Sequence, residues 1–337
     1  MDRQSERGGR GRIPNRNDEP QGGGRARTLS VLSLNPAVDM TYDIPALVDD
    51  QKVHATATRY DPGGNGINVG RGLKRLGARS TSFFVTAGEI GRLLERLLLQ
   101  QLDGIHCEHV EGETRINGTL LDRGEGRQYE IDGIGPRIPP ARLEQLLDVF
   151  VCATEQGIGV LTGSVPPGVP DDVYGRVTRS LRQRGGRAFV DCHGRLLSHA
   201  LEARPFLIKP NRYELEQLLG RRLPAIEQVA TEARAIQQKG VQYVCVSLGA
   251  EGAILTGPDD TLLAHAPRVE IDSTVGAGDS MVAGLVAAFA VDLPADAALR
   301  QAVACGSATA RHPGTELFSR EDVEGLQGEV EISSLGI

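Results

Sequence analysis

The chain has 337 residues and a formal charge of −7, with 40% hydrophobic residues, 24% charged residues, 4% aromatics and no Trp. That length suits about two ordinary domains or one large α/β unit, and the composition excludes disorder of the whole chain and asks for a core of aliphatic residues and Ala. The acidic balance disfavours nucleic acid or an anionic membrane surface as a partner, so any anion must be bound locally.

Residues 1–27 hold seven Arg, six Gly and four acids with almost nothing to bury, and are expected to form a disordered tail. Without that tail the body is 310 residues at −10. The tail has no apolar segment of a secretory signal, and no apolar run further on reaches the ~18 residues of a membrane span. The longest, MVAGLVAAFA at 281–290, has the length of a core helix. Five cysteines (Cys107, Cys152, Cys192, Cys245, Cys305) are scattered, with no CxxC and no His at zinc spacing. They read as buried thiols, and the expected location is the reducing cytoplasm.

From residue 28, strand-like runs at 28–34, 81–85, 158–161, 187–191, 206–208 and 242–247 are followed by helix-like stretches, with apolar periods of three and four at 141–151, 171–184, 213–219 and 225–238. The alternation predicts an α/β fold: a doubly wound, mainly parallel sheet flanked by helices. Two stretches break it. Residues 40–60 and 114–132 show polar alternation without a helix between, as hairpins of a small exposed sheet would, and are expected to form a β lid. The domain is placed at 28–325, with 326–337 as a C-terminal tail.

Forty-two glycines, about one residue in eight, imply tight turns or backbone that something approaches closely. The informative ones fall at three places. Pro62-Gly63-Gly64-Asn65-Gly66 predicts a turn opening a helix from about Ile67, with Asn68 one turn in. It is no P-loop, and Gly64-x-Gly66-x-x-x-Gly70 misses the dinucleotide spacing by one residue. GSVPPG at 163–168 follows a strand, so Gly163-Ser164 sits where open α/β sheets bind ligands, although Pro166-Pro167 could equally be a rigid connector. At 271–290, Val269 to Asp272 is expected to end a strand, Thr274 to Gly278 to form a loop, and Asp279 to open an apolar helix.

A glycine-rich loop entering a helix is an anion site, because free N–H groups and the positive dipole end meet there. Asp279 has two readings at this point. As an N-cap it would need no function. Alternatively its carboxylate faces a hydroxyl held against a bound phosphate and takes the proton in phosphoryl transfer, in which case Mg²⁺ and donor groups must neutralise the site.

TVGAGDSMV at 274–282, with PGGNGINVG at 62–70 and GSVPPG at 163–168, resembles the PfkB (ribokinase-like) carbohydrate kinases over about residues 31–318, and within them the group of minor 6-phosphofructokinases and 1-phosphofructokinases. The resemblance implies ATP and Mg²⁺, with room for K⁺ beside the 272–312 loops. It makes Asp279 the catalytic base and Gly276, Ala277 and Gly278 the anion hole. Asp39, Gly63, Gly64 and Asn68 would hold sugar hydroxyls with Ser164 nearby, and Lys52 and Arg115 would hold the substrate's phosphate from the lid. KPNRYELE matches the family's N-x-x-E motif, so Asn211 and Glu214 would organise Mg²⁺ and nucleotide phosphate, Glu214 through intervening groups; Asn211 could also simply cap the following helix. Ser247, Gly249, Gly252, Thr274, Gly306 and Ser307 would border the nucleotide, whereas Lys209 is read as part of the motif's backbone. The resemblance further implies a homodimer through the lid.

Fructose 6-phosphate is the leading acceptor, giving fructose 1,6-bisphosphate; fructose 1-phosphate and tagatose 6-phosphate are alternatives, and a non-catalytic sugar-phosphate sensor is a remote one. Three positions depart from the pattern. His54 stands where the minor 6-phosphofructokinases carry Arg, which weakens one phosphate contact at neutral pH. Gly70 replaces the usual Ala. Asn65 stands where kinases of fructose 1-phosphate or tagatose 6-phosphate usually carry Lys, whereas Thr114-Arg115-Ile116-Asn117 and GRRLP at 220–224 look more like the 1-phosphofructokinase pattern.

Overall fold

The computed structural model describes residues 27–337, so residues 1–26 of the expected tail lie outside the described residues. Chain order begins with β1 (Leu29–Ser33), β2 (Ala37–Ile44), β3 (Ala57–Gly63), α1 (Asn65–Arg75), β4 (Thr81–Ala87), α2 (Gly88–Leu98) and β5 (Gly104–Val110). It continues through β6 (Arg115–Asp122), β7 (Arg127–Ile131), α3 (Pro140–Thr154), β8 (Ile158–Thr162), α4 (Val173–Gln183), β9 (Arg187–Asp191), α5 (Gly194–Glu202) and β10 (Leu207–Ile208). The last part is α6 (Arg212–Leu219), α7 (Ile226–Gln238), β11 (Tyr243–Ser247), β12 (Ala253–Thr256), β13 (Thr261–His265), α8 (Ala277–Ala290), α9 (Ala295–Ala310), α10 (Arg320–Gln327) and β14 (Glu331–Ser334).

Ten strands form one sheet in the order β14-β13-β12-β11-β10-β9-β8-β1-β4-β5. It is parallel from β5 to β11 and antiparallel from β11 to β14. Side chains alternate across it as strand pleating requires. Leu32 of β1 and Leu161 of β8 face the core under α3, α4, α5 and α7, whereas Val31 and Val160 face the core under α1, α8, α9 and α10. Burial on both faces is why these strands read as apolar runs in the sequence. The low aromatic content is met by Leu, Val and Ala, with Ala283, Ala288, Ala298, Ala302 and Ala308 letting α8 and α9 lie close together.

The expected lid is present as a second sheet in the order β3-β2-β6-β7. Its hairpins β2–β3 and β6–β7 are antiparallel, and the two hairpins join through a parallel β2–β6 pair. Four expectations need correction. β3 starts only at Ala57, so Lys52 and His54 lie in the exposed connection before it. Val269 to Asp272 does not end a strand: β13 stops at His265 and irregular chain leads to α8. The stretch 326–337 is no simple tail, because β14 pairs with β13 and closes one edge of the sheet. Cys152 is exposed and Cys107 half-buried, so only three of the five thiols are buried, although all five are free.

The sheet order places the site. From β1 the chain runs outward through β4 to β5, then returns to β8 on the other side of β1, so the winding direction reverses between β1 and β8. Ligands of open α/β sheets bind beyond the carboxyl ends of strands at such a reversal. Here those ends carry Asn35 after β1, Gly163 and Ser164 after β8, Asp191 at the end of β9, Lys209 after β10 and Ser247 at the end of β11. No helix among the described residues is long and apolar enough to cross a membrane.

Candidate active site

A cleft of about 1280 Å³ lies between these strand ends and the lid. Its floor is the start of α8. Gly276, the N-cap residue, has φ 77°, a left-handed conformation that favours glycine, and it turns the chain so that Thr274 to Asp279 all line the cleft. The first N–H groups of any helix lack intrahelical acceptors, so this floor suits an anion.

Asp279 lies in the first turn of that helix and is buried. It does not cap α8, since no side chain bonds the first turn. Instead α1, which begins at Asn65 rather than at Ile67, sends two amides to it: Asn65 Nδ2 donates to Oδ1 and Asn68 Nδ2 to Oδ2, each at 2.9 Å. Arg71 in turn donates to Asn68 Oδ1 at 3.2 Å, fixing that amide's orientation. The helices can approach because a Cβ at position 72 would stand only 2.8 Å from Ala283 Cβ, and residue 72 is Gly. Burial raises the pKa of Asp279, while the amides and Lys209 oppose the rise. It is thus a carboxylate held in place, with an unusually high proton affinity for an Asp, beside a helix start whose N–H groups suit an anion.

Lys209 was placed in the backbone of its motif by the sequence reading, yet its side chain is buried in the cleft wall and pairs with Asp191 at 3.1 Å. Burial disfavours its charge, but Asp191 and Glu214 outweigh that and raise its pKa. Burial likewise pushes Asp191 up, to about 7, with Asp279 and Glu214 adding to the effect and Lys209 opposing it. Asp191, Asp279 and Glu214 thus gather carboxylate oxygens around one ammonium, the donor type that a hard cation takes. Asn211 is the N-cap of α6 in a reciprocal box: Glu214 N–H donates to Asn211 Oδ1 and Asn211 N–H to Glu214 Oε2, both at 2.8 Å. Capping holds both side chains at the cleft edge and leaves Glu214 Oε1 for a ligand.

The opposite wall is built from the lid. Asp39 of β2 accepts from Asn117 Nδ2 of β6 at 2.9 Å, and Asn117 is itself fixed by Gly133 N–H at 3.1 Å. Burial pushes Asp39 up to about 6, partly offset by that amide and by Arg115. Arg115 Nε donates to the Asn35 carbonyl at 3.0 Å, and Asn35 Nδ2 donates to Ser164 Oγ at 3.0 Å, which ties β1, β6 and the 163–168 turn together. Gly64, Ser247, Gly249, Gly252, Gly306 and Ser307 also line the cleft. Lys52 and Gly63 do not: Lys52 is exposed in the 45–56 connection, so the expected pairing of Lys52 with Arg115 is not formed within one chain, and Gly63 lies behind Asp39. Lys209, Asp191 and Asn117 were not singled out as cleft residues; the only available hint was that Lys209 is one of four lysines in the chain.

Residues 32–322 match the family described as pfkB family carbohydrate kinase. The chain is 34% identical over 308 residues to 1-phosphofructokinase of Bacillus subtilis, covering 91% of this chain and all of that one. It is 32% identical over 298 residues to ATP-dependent 6-phosphofructokinase isozyme 2 of Escherichia coli, covering 88% and 96%. The crystal structure of phosphofructokinase-2 from Escherichia coli in complex with potassium superposes with a TM-score of 0.86 at 32% identity, covering 90% of this chain and 99% of that one. The chain belongs to the pfkB family of carbohydrate kinases. It is a sugar kinase of the phosphofructokinase type.

Proposed function

We propose that the protein transfers the γ-phosphoryl group of ATP to fructose 6-phosphate, giving fructose 1,6-bisphosphate and ADP. The observation that carries the transfer is Asp279, gripped by Asn65 and Asn68 at the anion-binding start of α8. The sugar lies between that floor and the lid, with Asp39 and Asn68 ordering its hydroxyls and Arg115 holding its phosphate as a bidentate fork. The reacting hydroxyl attacks in line and passes its proton to Asp279, while the Gly276, Ala277 and Gly278 amides meet the charge on the transferred group. Asn211, Ser247, Gly249, Gly252, Thr274, Gly306 and Ser307 border the nucleotide. Asp191 and Glu214 would hold Mg²⁺, Glu214 through intervening water, and the ion would neutralise nucleotide phosphate charge.

The choice of sugar rests on Asn65, a neutral amide at the position where kinases of fructose 1-phosphate and tagatose 6-phosphate carry Lys. Arg115 and Asn117, together with the 1-phosphofructokinase relatives, support fructose 1-phosphate as the second reading. Measuring ADP release with fructose 6-phosphate, fructose 1-phosphate and tagatose 6-phosphate separates the two: the highest kcat/KM is expected for fructose 6-phosphate. A tenfold preference for fructose 1-phosphate would reverse the assignment.

Asp39 also predicts a pH dependence. Its ionised form accepts from sugar hydroxyls through both oxygens with charge assistance, which protonation removes, and its pKa is pushed up to about 6. The KM for the sugar phosphate should therefore fall as pH rises from 5 to about 7 and level off above that; in Asp39→Asn the fall should be shallower, leaving only the part that comes from the substrate's own phosphate, which titrates at about pH 6. The lid's edge strands β3 and β7 expose Tyr60 and Ile131, which supports a homodimer formed through the lid, measurable by sedimentation.

A further inference from the structure

The outer edge of the main sheet carries three side chains of metal-ligating type that line no part of the cleft: Glu95, Cys107 and His109. Cys107 and His109 are two residues apart on β5, so the strand's period of two puts both on one face. α2 packs on that side and supplies Glu95. The ligand atoms converge closely. His109 Nε2 is 3.0 Å from Glu95 Oε1, Cys107 Sγ is 3.5 Å from the same oxygen, and Cys107 Sγ is 3.9 Å from His109 Nε2. A tetrahedral Zn²⁺ with Zn–S about 2.3 Å and Zn–N or Zn–O about 2.0–2.1 Å has ligand-to-ligand edges of roughly 3.3–3.6 Å. The three separations fall within about 0.4 Å of those edges, so sub-ångström side-chain motion would complete the geometry.

Hydrogen bonding alone is a poor account of the cluster. Thr86 Oγ1 also donates to Glu95 Oε1, at 2.7 Å, and lies 2.9 Å from Cys107 Sγ, so hydroxyl, thiol and imidazole crowd around one carboxylate oxygen. The His109 side chain is 67% exposed and that of Glu95 31%, which opens the cluster to solvent. A divalent cation binds cysteine as the thiolate, so its binding releases the Cys107 proton to solvent.

We propose that Cys107, His109 and Glu95 form a Zn²⁺ site, with water as the fourth ligand, that ties α2 to the edge strand β5. Softness favours zinc over Mg²⁺ or Ca²⁺, since one thiolate and one imidazole outnumber the single carboxylate. The site is separate from the catalytic cleft and does not depend on which sugar is phosphorylated.

Co²⁺ titrated into chelator-stripped full-length protein is the test. One Co²⁺ per chain should give a thiolate-to-metal charge-transfer band and the intense d–d absorption of tetrahedral cobalt, both displaced by equimolar Zn²⁺. Cys107→Ser should abolish the charge-transfer band, whereas Cys152→Ser, which removes the exposed thiol, should leave it intact. His109→Ala, at an exposed position that cannot compromise the core, should weaken Co²⁺ binding at least tenfold, with sugar-kinase turnover unchanged. Absence of the band in the full chain, its survival in Cys107→Ser, or unaltered affinity in His109→Ala would each overturn the site.

Discussion

Asp279→Asn is expected to lower kcat about 1,000-fold while leaving the KM values for sugar and ATP within a few-fold. General base catalysis typically contributes about 10²–10⁴ in rate, and among the described residues no other carboxylate is gripped by two amides at the start of α8. The substitution keeps shape and volume but removes the proton acceptor. Its cost in stability should be small, because two effects oppose each other. One of the two amides from Asn65 and Asn68 loses its acceptor, which costs about 1–3 kcal/mol. Against that, the variant no longer holds a buried carboxylate whose raised pKa marks an unfavourable charge. A melting shift of only a few °C is expected, since about 1 kcal/mol moves Tm by roughly 2–4 °C in a large domain. The raised pKa also sets the sign of the pH dependence: kcat should fall as pH drops, with the acid limb displaced above the ordinary Asp range. Turnover within tenfold of the unmodified chain would remove Asp279 as the base.

The parts of this molecule that could be read from sequence are those encoded locally. Apolar runs at 158–161 and 187–191 announced strands buried on both faces, and the glycines of 274–278 marked the turn into α8 because a left-handed N-cap needs glycine. Partners brought together by register were not legible. Asp191 meets Lys209 only because β9 and β10 are paired with Val190 opposite Ile208, which sets the two next residues side by side. Nothing in either local sequence signals that ion pair. Asn65 was noticed only as a departure from a pattern, whereas its geometry makes it a direct partner of Asp279. The same holds for Cys107 and His109, whose spacing matches no helical or finger-type zinc motif and becomes meaningful once α2 brings Glu95 over the strand. β14 was missed for a different reason: a short, polar edge strand has no apolar run to betray it.

Gly63→Ala should damage sugar binding nearly as much as Asp39→Ala does, although residue 63 does not line the cleft. In the β2–β3 hairpin Gly63 lies opposite Ala37, and a Cβ there would stand 2.2 Å from the Asp39 carboxyl carbon and from both its oxygens. No real Cβ tolerates that contact, so the carboxylate must swing away. It would then lose the 2.9 Å bond from Asn117 and the position from which it reaches the sugar. Losing hydrogen bonds to a charged group costs about 1.5–3 kcal/mol, which corresponds to a rise in sugar KM of roughly 10- to 150-fold. Because both substitutions disable the same group, the double variant should bind sugar no worse than Asp39→Ala alone, a strong departure from additivity. Stability should separate them in the opposite sense. Truncating Asp39 vacates the space that the new Cβ needs, so the double variant should melt above Gly63→Ala. Unchanged sugar KM in Gly63→Ala would mean that the carboxylate can move without loss and that Asp39 does not hold the substrate. An additive double variant would assign the damage at Gly63 to the backbone of the lid rather than to Asp39.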